Sequence, residues 1–426
     1  MFPVQPSNLP PDPVTPVPLP PVHRIAVPGT VMLAVLLAGL SMLGPFSIDA
    51  YLPAFPNIQA DLRATPIEVQ QTLTAYMLAF SGMVLWHGAL ADAFGRRNVI
   101  LCSLMVFIIG TFGCAASHSV HYLWVFRIMQ GVSAGAGVVV GRAIIRDLFA
   151  DAAAARLLSL VTMIFTIAPA VAPILGGWIV TFFDWRAIFL ALLGYSVALL
   201  IYCWRKLPET LPLEKRQPFN PSFLWSSYRD IFSSPLFHMK AGISALNFAG
   251  LFLYITAAPV MLPQHMGLGP SQFGWLFIPA VSGIFLGALA ANRIAGKMTF
   301  VRQIGIGFGA LLSAALANVL YHSFFPPALP WTFVPLFFYT FGMSIISPGA
   351  TLLALDLFPH IRGTVASCQS FAVTLLGALV AGVIAPFLSH SVRWLAYGQL
   401  GFAVCALGLW VASRIYRRHL ARNPRF

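Results

Sequence analysis

Residues 88–97 read Gly88-Ala89-Leu90-Ala91-Asp92-Ala93-Phe94-Gly95-Arg96-Arg97, a short polar turn between two apolar runs near 69–90 and 97–117. Each run is about 20 residues long, the length at which a helix crosses the ~30 Å hydrocarbon layer of a bilayer. Working outward, similar runs lie near 30–52, 122–142, 156–182, 186–205, 236–261, 271–292, 302–322, 331–354, 362–388 and 393–415. The composition agrees: of 426 residues, 58% are hydrophobic and only 9% charged, where soluble domains carry roughly a quarter charged residues. A soluble enzyme, a nucleic-acid binder and a disordered chain are all excluded. The sequence predicts an all-α polytopic membrane protein with 12 transmembrane helices.

Residues 206–235 form the one long polar interruption and carry Lys206, Glu209, Glu214, Lys215, Arg216, Arg229 and Asp230. They part the chain into two six-helix bundles, 29–205 and 236–416, with this linker between them. Gly88-Ala89-Leu90-Ala91 recurs as Gly287-Ala288-Leu289-Ala290, and Asp147-Leu148-Phe149 recurs as Asp356-Leu357-Phe358. Each match falls where a duplicated six-helix unit requires it. Two related halves about an axis along the membrane normal are a transporter architecture, with the substrate site between them near the midplane. Residues 1–28 hold ten prolines and almost no charge, which predicts a disordered tail; residues 417–426 are expected to form a short basic tail.

The net charge of +13 is spread between apolar runs rather than gathered on a stripe, so no nucleic-acid partner is expected. Placing both termini in the cytoplasm puts 21 of the 25 Lys and Arg on the cytoplasmic side; Arg63, Arg186 and Arg393 fall outside and Arg127 within a span. That bias sets the orientation. The five cysteines show no CxxC spacing, so neither disulfides nor a metal site is expected.

Several residues in or beside the spans carry chemistry. In the 88–97 turn, Gly88 and Gly95 permit close helices, Asp92 can accept hydrogen bonds, and Arg96 and Arg97 anchor the face. Arg142 and Arg146, one turn apart, are candidate partners for Asp92. Such a charge cluster can latch one conformational state and release in the other. Arg127, followed by Gln130 and Gly131, lies inside the fourth span, where a charge is costly and faces a cavity or a partner. Asp49, ending the first span, is the acidic residue placed within a span. Burial and a neighbouring cation act on a carboxyl in opposite directions, so Asp49 near Arg127 is a candidate proton carrier. In the fifth span Pro169 and Pro173 each free a backbone carbonyl, while Gly176 and Gly177 admit a neighbouring helix. Tyr76, Gln130, Asn247, Phe248 and Phe252 are candidate contacts for a bound substrate, with Tyr254 and Gln369 behind them.

These motifs carry a family resemblance. The 88–97 turn matches the G-x-L-x-D-x-x-G-R-R/K signature of the major facilitator superfamily. Arg127-Ile128-Met129-Gln130-Gly131 is similar to that superfamily's R-x-x-Q-G motif, associated there with proton coupling. Ala168-Pro169-Ala170-Val171-Ala172-Pro173-Ile174-Leu175-Gly176-Gly177 resembles the antiporter motif G-x-x-x-G-P-x-x-G-G, with alanine for glycine at 168 and 172. Together with Leu43–Pro56 around Asp49 and the run Leu207-Pro208-Glu209-Thr210-Leu211-Pro212, they resemble the Bcr/CflA subfamily of drug:proton antiporters.

The resemblance implies a proton-coupled exporter of small amphipathic or antibiotic compounds in a bacterial inner membrane, working by alternating access. Protons, a small-molecule drug and lipid are the expected partners; a monomer without cofactor, driven by the proton gradient, is the expected form. No P-loop is present, so ATP is not the energy source. A proton-linked importer of a nutrient would use the same fold, and the fifth-span motif is what argues for export. A polytopic membrane enzyme would need clustered His and carboxyl residues at helical spacing, which are not evident.

Overall fold

The computed structural model describes residues 29–422. The proline-rich segment 1–28 and residues 423–426 of the basic tail lie outside the described residues. Among the described residues, twelve helices are long and apolar enough to cross a membrane. The first six spans are Val31–Leu62, Pro66–Phe94, Arg96–Ala115, Val120–Leu148, Arg156–Phe182 and Arg186–Lys206. The second six are Pro235–His265, Pro270–Ile294, Phe300–Phe324, Val334–Leu355, Pro359–Leu388 and Val392–His419. Each span predicted from the apolar runs overlaps one of these. The last helix continues to Arg422, so the start of the expected tail, 417–422, is helical.

Local chemistry fixes several span starts. Thr65 caps the second span: its hydroxyl accepts the Glu68 N–H at 3.2 Å while Glu68 accepts the Thr65 N–H at 2.7 Å, ahead of Pro66. This reciprocal pair satisfies two backbone donors that a helix start leaves free. Ser119, Ser234 and Thr299 cap the fourth, seventh and ninth spans with one bond each, the side-chain oxygen accepting the backbone N–H three residues on. The first span is broken: its helix ends at Asp49, a tight turn covers Leu52–Ala54, and a second helix runs Phe55–Leu62. The predicted end near 52 marks that break rather than the end of the apolar segment.

The spans form two six-helix bundles. These meet along two seams, the second span against the eleventh and the fifth against the eighth. The linker joins the bundles at one end, called here the linker end; the Thr65 and Pro270 turns mark the far end. The linker also contains a helix, Pro221–Phe232, capped by Asn220. A polar composition concealed it, because only one face is apolar. Its Ile231 and Tyr228 pack with Val365 and Cys368 of the eleventh span. The Tyr228 hydroxyl donates to the Leu85 carbonyl of the second span at 2.6 Å, so the linker touches both bundles.

Candidate functional site

At the far end the halves are clamped. Gln70 donates to the carbonyls of Thr256 (3.3 Å) and Ala381 (3.0 Å), and Gln71 donates to that of Gly382 at 3.0 Å. Beside this clamp, a Cβ added to Gly177 would lie 2.0 Å from the Pro270 carbonyl oxygen. The fifth span therefore needs glycine there to touch the start of the eighth. Among the described residues other than Arg156, no further side-chain hydrogen bond or ion pair joins the two bundles directly. The seventh span reports the same asymmetry. It is buried without interruption from Ala249 to Pro259, whereas Gly242, Ser244, Leu246 and Phe248 toward the linker end are partly exposed. The halves are closed at the far end and parted toward the linker end.

Arg127 is fully buried, at 0% exposure, rather than reaching for the membrane surface. One guanidinium nitrogen, Nη1, donates to the Ser47 carbonyl (2.9 Å), the Ser47 hydroxyl (3.3 Å) and Gln130 Oε1 (2.8 Å). The guanidinium carbon lies 4.8 Å from the ring centroid of Tyr51 and 4.5 Å from that of Tyr76. Two aromatic faces thus hold a cation that hydration would otherwise hold. Gln130 is committed to the same assembly, donating to Thr111 (2.8 Å) and accepting from the Cys114 thiol (3.6 Å). Arg127 Nε and Nη2 have no hydrogen-bond partner.

Asp49 is 5% exposed and lies in sequence between Ser47 and Tyr51, both of which touch Arg127. It makes no ion pair with Arg127 and has no hydrogen-bond partner among the described residues. Arg127 instead turns Nη1 to neutral acceptors and its face to two rings, leaving Nε and Nη2 without partners among the described residues. One residue on, the Ala50 carbonyl oxygen would lie 2.0 Å from a Cβ added to Gly176. The fifth-span glycine thus packs on the break in the first span. Pro169 and Pro173 lie within a helix that runs unbroken over Asp151–Phe182.

The 88–97 turn builds a second cluster at the linker end. Arg96 pairs with Asp92 within its own turn and with Asp147 of the fourth span at 3.1 Å. The expected pairing of Asp92 with Arg142 or Arg146 is not made; Arg96, four residues on, reaches Asp92 first. Both Arg142 and Arg146 are exposed. The linker closes the cluster: Glu209 accepts the Arg96 N–H at 2.9 Å, Thr210 donates to Asp147 at 2.9 Å, and Arg216 lies 3.5 Å from Glu209. Gly95 has φ +95, and a Cβ there would lie 2.3 Å from Glu209 Oε2; conformation and space both require glycine. Arg97 donates to the Trp204 carbonyl at 2.7 Å, and Gly88 faces Val139 of the fourth span.

The candidate substrate contacts divide. Phe248 and Phe252 stack at 5.3 Å, and Phe252 reaches the second-to-eleventh seam near Met77 and Gly377. Tyr76 stacks on Phe80 at 6.2 Å while supporting Arg127. Asn247 is buried inside the second bundle, its carbonyl accepting from Tyr339 at 3.2 Å and its Oδ1 without a partner. Tyr254 and Gln369 are likewise tied within that bundle, to Asn318 (2.7 Å) and Ser244 (3.0 Å). Sequence reasoning missed Ser47, Thr111, Gln70 and Gln71 in the spans and Thr210 in the linker as site residues, since isolated uncharged polar side chains carry no distinguishing pattern. Asp147 was visible only as half of a repeat.

Residues 35–381 match the model of the Major Facilitator Superfamily. The chain belongs to that superfamily. Its members are transporters rather than enzymes, and this transporter is a multi-pass membrane protein. A bicyclomycin resistance protein homolog of Haemophilus influenzae is 32% identical over 366 residues, 84% of this chain and 89% of the relative. Multidrug resistance protein D of Escherichia coli is 28% identical over 387 residues, covering 89% and 94%. Among solved structures, a bacterial homolog of the human lysosomal transporter Spinster superposes with a TM-score of 0.68 at 16% identity. That superposition covers 91% of this chain and 98% of the other, a likeness of fold. Among the described residues no three His, Cys, Asp or Glu side chains are grouped as metal ligands would be.

Proposed function

We propose that the transporter exports small amphipathic compounds, antibiotics among them, from the cytoplasm of a bacterium across its inner membrane in exchange for protons. The linker end faces the cytoplasm in this reading, as the placement of Lys and Arg favours. The observation that carries it is Asp49: a buried carboxyl with neither cation nor donor of its own, set at the break of the first span beside the Arg127 assembly. An ionised carboxylate is costly to bury unpaired, whereas the neutral acid is far less so. The neutral acid therefore suits the closed, buried arrangement: Asp49 takes its proton from the outer solution while the far end is open, is buried as that end closes, and gives the proton up toward the linker end as a compound enters there.

In the mechanism, a compound enters between the halves from the linker end and displaces water from the exposed edge of Phe248, which stacks on the buried Phe252. Rocking then breaks the Gln70 and Gln71 bonds and parts Gly177 from Pro270, opening the far end. Because Gly176 rests on Ala50, movement of the fifth span is transmitted to the break adjoining Asp49. Arg127 keeps that region positively charged and aligned without neutralising the acid. One charge moving through 100 mV supplies ~2.3 kcal/mol, enough to shift such an equilibrium about fiftyfold. The names of the bicyclomycin- and multidrug-resistance relatives support a drug as cargo.

The reading is tested in inverted and right-side-out vesicles carrying the wild-type chain or Asp49→Asn. Wild type should accumulate drug in inverted vesicles only while a proton gradient is held, and the variant should not, though inserted at normal levels. Undiminished proton-driven transport by Asp49→Asn removes Asp49 from the mechanism, and proton-linked uptake by right-side-out vesicles makes the chain an importer.

A further inference from the structure

We propose that the linker end of the second bundle holds the phosphate of an anionic phospholipid in a basic pocket formed by Lys240, Arg414, Arg417 and Arg418. The inference rests on the membrane-spanning fold, not on the direction or coupling of transport. The pocket, of about 310 Å³, lies where the seventh, ninth, tenth and twelfth spans reach the same end of the bundle. Lys240 is 3% exposed yet makes no hydrogen bond or ion pair among the described residues, and it lines the pocket. Arg417 lies within electrostatic reach of it, so the neighbouring charge is repulsive. Asp356, the acid also within reach, is engaged by Arg362 at 2.9 Å. Arg414 sits over the Trp410 ring at 5.9 Å.

Four like charges converge there with no carboxylate in the lining, and burying Lys240 beside the three exposed arginines without an anion is costly. Among the described residues none in the lining supplies the missing counter-charge, and a bound lipid carries it instead. Val301, 40% exposed, and Trp410 give the pocket an apolar wall. It lies at span ends, where headgroup and hydrocarbon meet. Basic pockets between transmembrane helices are suited to phosphate headgroups for this reason. A lipid satisfies both halves of the pocket, phosphate on the cations and glycerol and acyl carbons on the wall; free phosphate satisfies only the first.

Native mass spectrometry of the delipidated full chain, titrated with phosphatidylglycerol, phosphatidylcholine or inorganic phosphate, tests this. Phosphatidylglycerol should bind at least tenfold more tightly than phosphatidylcholine. Each cation removed should weaken it about fivefold, so Arg417→Gln with Arg418→Gln, at exposed positions, should lose about 25-fold and Lys240→Met about fivefold. Arg293→Gln with Lys297→Gln, elsewhere at this end, should change nothing. Equal loss in that control pair, no lipid preference, or saturation by inorganic phosphate without lipid retention would each overturn the assignment.

Discussion

Replacing Gln70 and Gln71 with leucine should release the far end. In the closed arrangement Gln70 donates twice, at 3.3 and 3.0 Å, and Gln71 once at 3.0 Å, all to backbone carbonyls of the other bundle. When the end opens, both amides find water instead, so the net worth of each bond is about 1 kcal/mol. Gln70→Leu then removes about 2 kcal/mol from the closed state and the double variant about 3 kcal/mol, shifts of ~30-fold and ~150-fold toward opening. Leucine keeps the side-chain volume, so the seam is not emptied. The readout is alkylation of Thr74→Cys, which sits against Gly382 in this seam, in a chain otherwise free of cysteine. A membrane-impermeant maleimide applied from the far side should label it faster by at least tenfold in the double variant. Labelling at the wild-type rate would refute the clamp, because the bonds would then contribute nothing to closure.

Arg127→Lys keeps the charge but loses the planar fork between Tyr51 and Tyr76 and most of its three contacts. It should lower stability by about 2–4 kcal/mol, read as a fall in thermal midpoint, with transport lost; an unchanged midpoint argues against a structural anchor. Asp92→Asn leaves Arg96 paired with Asp147. Because Asp92 is 46% exposed, the loss should be no more than about 1 kcal/mol, slowing exchange about fivefold while drug affinity holds. Equal turnover would show that the turn is no latch. Gly177→Val places carbon where the Pro270 carbonyl lies and should hold the far end apart, raising Thr74→Cys labelling as the glutamine variant does. Asp49→Asn is expected to abolish the response of efflux to the proton gradient, checked by drug accumulation with and without an uncoupler.

The parts legible in the sequence are those set by solvent and by chain-local chemistry. A bilayer dictates the length and apolarity of every segment that crosses it, so the twelve spans could be counted from the apolar runs. The turn at Gly88–Arg97 declared itself because glycine, acid and paired arginines at that spacing have few other uses. Likewise Arg127 and Asp49 stood out because charge inside a span is expensive wherever the fold places it. Partners were another matter. Asp92 had four arginines within plausible reach on paper, and the turn at Gly95 gave it to Arg96. Arg127, expected near Asp49, meets two tyrosine rings and neutral acceptors instead of a carboxylate, since Ser47 and Tyr51 on either side of the first-span break lie against the guanidinium. The glutamine clamp and the basic pocket at Lys240 join residues as much as 311 positions apart. Such contacts depend on how two bundles lean on each other and where four spans end together, and one-dimensional periodicity holds no record of either.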